Sequence, residues 1–72
     1  MFTIKRVLSN PDLPHEKVGK VRSLDTDVIE AYFNGRYDCN IVDLEIDKEN
    51  NAADVVVDYG NNHVFQYVVE SE

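Results

Sequence analysis

The stretch Asn40–Val69, NIVDLEIDKENNAADVVVDYGNNHVFQYVV, decides the fold. It reads as three strands, about Asn40–Asp47, Ala53–Tyr59 and Asn62–Val69, joined by two short polar turns. Side chains alternate between faces along a strand. In the first strand Val42, Leu44 and Ile46 therefore share one face, and Ile41, Asp43, Glu45 and Asp47 the other. The second strand divides the same way, with Ala53, Val55, Val57 and Tyr59 against Asp54, Val56 and Asp58. Lys48-Glu49-Asn50-Asn51 between them is turn chemistry, since asparagine tolerates left-handed backbone. Pairing Ile46 with Ala53 then brings Leu44 to Val55 and Val42 to Val57, all on the core face.

The second turn fixes the register of the third strand. A two-residue loop, Gly60-Asn61, would bury Val64, Gln66 and Val68 and expose Phe65 and Tyr67. A three-residue loop buries Phe65, Tyr67 and Val69 opposite Val57, Val55 and Ala53. Three-residue hairpins commonly end in a left-handed residue, a place Asn62 can take, and the aromatic payload selects this register. The other face then carries Asp43, Glu45, Asp54 and Asp58 beside Ile41, Val56, Val64, Gln66 and Val68. Glu45 stands directly opposite Asp54, a like-charge pair that costs up to about 1 kcal/mol.

Upstream, Phe2–Leu8 alternates as a strand, with Phe2, Ile4 and Leu8 on one side and Thr3, Lys5 and Val7 on the other. Arg6 interrupts the apolar side, which predicts a strand at the sheet edge. Ser9-Asn10-Pro11-Asp12-Leu13-Pro14 is a loop, because each proline removes a donor and disfavours helix before it. Lys17–Arg22 reads as a short strand with Val18 and Val21, weakened by Gly19. Between this strand and the meander, Leu24, Val28, Ile29, Tyr32 and Phe33 fall on one face of a 3.6-residue period. Asp25 is the expected N-cap, Leu24 staples to Ile29, and Gly35 is the expected left-handed terminator. So short a helix must dock on the sheet. The reading is one α+β domain over residues 1–72, with one helix on a mainly antiparallel sheet, in the order ββαβββ with a C-terminal three-stranded meander.

Seventy-two residues allow one small domain, and a chain this short buries only about 60% of its unfolded surface. The single cysteine, Cys39, has no internal disulfide partner and is expected to be a packing residue. With no apolar run near Phe2, neither a signal peptide nor a membrane span is expected, and the chain is assigned to the cytoplasm.

The net charge of −7 is unevenly placed. Residues 1–36 carry six bases and five acids, whereas residues 37–72 carry nine acids and one base, Lys48. Six of those acids lie between Asp43 and Asp58. This half repels phosphate and is steered toward basic surfaces.

Few motifs carry chemistry. The histidines, His15 and His63, lie far apart in the sequence, and no Cys-x-x-Cys or His-x-x-x-His spacing exists, so no metal is expected. Asp43, Glu45, Asp47 and Glu49 at alternate positions resemble a calcium loop only faintly. The glycine and bidentate glutamate of such a loop are missing, and strand alternation explains the spacing. A carboxylate pair such as Asp43 with Asp58 would need a cleft to shift one pKa, and small domains rarely enclose one. Gly19, Gly35 and Gly60 are isolated and form no phosphate loop. The expectation is a protein that is not an enzyme and has no cofactor.

What remains is the acidic run. Strands lie about 4.8 Å apart and alternate residues about 6.8 Å apart. That grid is of the order of phosphate spacing on one strand of a duplex, whose axial rise is about 3.4 Å. The leading expectation is an acidic inhibitor or regulator of the DNA-mimic type. It would occupy the basic nucleic-acid-binding site of a partner protein through Asp43, Glu45, Asp47, Asp54, Val56 and Asp58. Small accessory proteins of viruses and mobile elements offer the analogy, one of size and charge alone. The alternatives are a structural or regulatory subunit, or a homodimer, using the Val56/Val64/Val68 stripe, and a nucleic-acid module using Lys5, Arg6, Lys17, Lys20 and Arg22. A solvated, solubilising face is the plain account of the same carboxylates.

Overall fold

The computed structural model describes residues 1–10, 12–36 and 38–72. The elements follow the expected order: β1 (Phe2–Arg6), β2 (Glu16–Val21), α1 (Thr26–Arg36), β3 (Asn40–Asp47), β4 (Ala52–Asp58) and β5 (Val64–Ser71). All strand pairs are antiparallel, and the sheet order is β2-β1-β5-β4-β3. In the Ser9–Pro14 loop Asn10 organises the turn, its side chain accepting from the Asp12 amide and its carbonyl from Leu13. Pro11 of that expected loop lies outside the described residues.

The meander has the three-residue register. Val57 faces Phe65, Val55 faces Tyr67 and Ala53 faces Val69. The Tyr59 amide donates to the His63 carbonyl across Gly60, Asn61 and Asn62, all with positive φ (90°, 53° and 66°). Asparagine and glycine are the residues that tolerate this backbone. Asp58 accepts from the Gly60 amide at 2.8 Å and pins the turn.

Four expectations are corrected. Val42 does not meet Val57. A bulge between Ile41 and Asp43 gives Val57 to Ile41, which packs against the core, and leaves Val42 63% exposed. The bulge exchanges a valine for the larger isoleucine and distorts an edge strand, which hinders further pairing there. Secondly, β1 is not an edge strand, since it lies between β2 and β5. Arg6 is tolerated on the helix side, opposite Tyr67, because Glu16 accepts from it and its guanidinium lies 5.5 Å over the Phe65 ring. Thirdly, Gly35 does not end the helix, which continues to Arg36. Arg36 stacks 4.8 Å over the Tyr32 ring one turn earlier, and a cation suits the negative end of the helix.

The core lies between α1 and one sheet face. Ile29 and Phe33 from the helix are fully buried against Ile4, Val55, Val57 and Val69. Phe33 packs 4.9 Å from the Tyr67 ring. Burying side chains of this kind contributes about 1.5–3 kcal/mol each. Asp25 sits at the N-cap, its carbonyl accepting from Ile29, while its carboxylate takes the Ser23 hydroxyl. Fourthly, Phe65 is not buried: it faces the helix side of the sheet but stays 37% exposed. Arg6 and Tyr59 lie against its ring.

Candidate acidic interface on the open sheet face

The helix covers one face of the sheet, and the opposite face is open. Because Ala53, Val55 and Val57 point into the core, Asp54, Val56 and Asp58 must point away from it. Across the ladder, Glu45 faces Asp54, Asp43 faces Val56 and Asp47 faces Ala52. The bulge at Val42 leaves Asp43 on this open face while Ile41 turns to the core. The six residues expected to form the interface therefore do converge on one face of the β3–β4 hairpin.

Their surroundings differ. Asp43, Glu45 and Asp54 are exposed and make no ion pair among the described residues. Opposed residues on neighbouring strands have Cβ atoms about 5 Å apart, so Glu45 and Asp54 form a close like-charge pair. Asp58 is half-buried and already holds the Gly60 amide. Asp47 accepts from the Asn50 side chain at 2.6 Å, and this bond, with the Asn50 amide, holds its carboxyl below the usual value of 3.8. Val56 lies half-buried between them.

Strand order adds a feature that the alternation does not contain. One row across the open face reads Lys17, Lys5, Val68, Asp54, Glu45, from β2 through to β3. The face is basic at the β2–β1 side, apolar along Val56, Val64 and Val68, and acidic at the β4–β3 side. On the basic side the carboxylates are paired, Glu70 with Lys5 at 3.2 Å and Glu72 with Lys20 at 2.6 Å. The Lys20 bond holds the Glu72 carboxyl below its usual value. With Arg6 on Glu16, three of the five bases considered for nucleic-acid binding face carboxylates of their own chain. Glu70 on β5 and Glu72 just after it are thus neutralised, whereas Asp43, Glu45 and Asp54 on β3 and β4 are left uncompensated among the described residues.

Cys39 packs half-buried beside the core, its thiol directed at the Phe33 carbonyl. Burial pushes the thiol pKa up, and the Asp38 carboxylate adds to the shift, so Cys39 is a poor nucleophile. Among the described residues no three His, Cys, Asp or Glu side chains gather as metal ligands, and no helix is long and apolar enough to cross a membrane. Comparison with protein-family models, with curated proteins and with solved structures found no match.

Proposed function

We propose that this protein is a non-enzymatic acidic interaction protein that acts in the cytoplasm as an inhibitor or regulator. Its β3–β4 hairpin occupies the basic nucleic-acid-binding site of a partner protein. The observation that carries this reading is the Glu45–Asp54 pair, two facing carboxylates that make no ion pair among the described residues. With Lys5 and Lys20 paired to Glu70 and Glu72, this charge is left to be met from outside. Asp43, Asp47 and Asp58 extend the array, and Val56 supplies an apolar contact within it.

The test starts with capture of the partner from a lysate at low salt, elution by a salt gradient and identification by mass spectrometry. The partner's affinity for a labelled duplex is then measured against added protein. Wild type displaces the duplex, and the D43N/E45Q/D54N/D58N variant, which keeps side-chain shape, does not. Equal displacement by the two at low salt rejects the acidic face as the interface.

A second reading, a subunit or homodimer built on the valine stripe, draws on Val64, which is 53% exposed beside the half-buried Val56 and Val68. Sedimentation of wild type and of the Val64→Lys variant separates it from the first, since only a dimer dissociates on that change.

A further inference from the structure

At the opposite edge of the sheet from the acidic hairpin, α1 and the end of β2 enclose an open groove of about 660 Å³. Val21, Val28, Ala31 and Tyr32 line it with apolar surface, and Arg22 and Arg36 stand on its rim. Both arginines are exposed, and neither makes an ion pair among the described residues. Arg36 is held in place by its stacking on Tyr32. Lys20 also lines the groove but is paired with Glu72. Asp27 shares an adjoining depression with Arg22 without pairing to it. In a chain of net charge −7, two unpaired arginines beside apolar surface are a local reversal of sign.

The shape of the site points to its occupant. From Val28 to Arg36 the helix advances about 12 Å at 1.5 Å per residue, the span of three or four extended residues. On the other side β2 is an edge strand, so one row of its amides and carbonyls faces no neighbouring strand. The lining opposite α1 runs from Lys20 at the end of β2 to Arg22 just beyond it and stops short of Gly19, where Tyr32 crosses the strand to donate to the Val18 carbonyl. A strand edge beside a helix, with apolar surface between them, is the geometry in which an extended peptide adds a strand and places alternate side chains in the groove. The unpaired arginines select acidic side chains. A nucleic-acid strand brings a charge at every residue against an acidic protein and is disfavoured.

We infer that the groove between α1 and the free edge of β2 binds an extended, acidic peptide segment of a partner protein, independently of the acidic hairpin. The test uses isotope-labelled full-length protein and a capped ten-residue peptide of alternating Glu and Val. The same peptide with Gln for Glu, a ten-residue oligothymidylate and inorganic phosphate are the comparisons. Binding of the Glu peptide should shift resonances of Lys20–Arg22, Val28, Ala31 and Arg36 and slow amide exchange at the end of β2. Affinity should fall at least about tenfold for the Gln peptide and for the R22Q/R36Q variant, as expected when close charge pairs are lost. Because removing Arg36 also removes its stacking on Tyr32, Ala31→Glu provides a second variant that keeps both arginines and should likewise repel the peptide. The inference is overturned by no shifts at millimolar peptide, by shifts centred on β3 and β4, or by equal affinity for wild type and both variants. Tighter binding of the oligonucleotide or of phosphate at the same residues overturns it as well.

Discussion

Tyr32 lies directly across Gly19, so that a Cβ added there would sit 2.2 Å from the phenolic oxygen and 2.8 Å from the ring carbon that bears it. The same hydroxyl donates to the Val18 carbonyl at 3.1 Å. This crossing ties the helix to the edge strand. A glycine that weakens β2 by its own propensity is therefore what allows the helix to grip it.

Gly19→Ala should destabilise by about 1–3 kcal/mol through overpacking, read as a lower urea midpoint. In a Tyr32→Ala background the sign should reverse. Alanine then gains about 0.5–1 kcal/mol over glycine in a strand, with nothing left to strike. Equal effects in the two backgrounds would show that Tyr32 is elsewhere in solution.

The bulge on β3 predicts unequal neighbours. Ile41→Ala should cost about 1–2 kcal/mol, part of the full large-to-small penalty because Ile41 is only half-buried. Val42→Ala should fall within about 0.5 kcal/mol of wild type, as exposed substitutions do. An unbulged ladder would give the opposite order in thermal melts.

Neutralising one partner of the Glu45–Asp54 pair should stabilise. Glu45→Gln or Asp54→Asn is expected to raise stability by about 0.2–1 kcal/mol at low ionic strength. The gain should shrink in about 1 M salt, where screening acts within roughly 3 Å. A loss of stability in low salt would reveal a cation bound between them.

Glu72 predicts a pH dependence. Its folded pKa lies below the usual 4.5, mainly because Lys20 donates to its carboxylate, so the fold favours the ionised form. That contribution is present above 4.5 and is lost as the pH falls through the lowered folded value. Glu72→Gln should therefore melt below wild type at pH 7, with the gap closing on acidification. Asp47→Asn should behave likewise below 3.8, where the Asn50 bonds are the cause. A gap that widens in acid would contradict the sign.

Much of this molecule is written locally in its chain. Alternation over Leu44–Ile46 and Ala53–Tyr59, the 3.6-residue repeat from Leu24 to Phe33 and the Gly-Asn-Asn turn specify strands, helix and hairpin register, because period and turn chemistry act between near neighbours. The convergence of Asp43, Glu45, Asp54 and Asp58 on one face follows from the same period of two. Other features depend on contacts between residues distant in sequence. The insertion of β1 between β2 and β5 pairs Lys5 with Glu70 and separates neutralised from uncompensated acids. Arg6 fits an inner strand because Glu16 and Phe65, distant in sequence, meet it there. The bulge at Val42 rests on Ile41 filling the core opposite Val57, a choice that alternation alone decides wrongly. The groove beside Arg22 and Arg36 forms only where α1 meets the end of β2. Strand order, bulges and grooves are set by which distant pairings bury apolar surface and match charge together, and that competition is resolved only in the assembled fold.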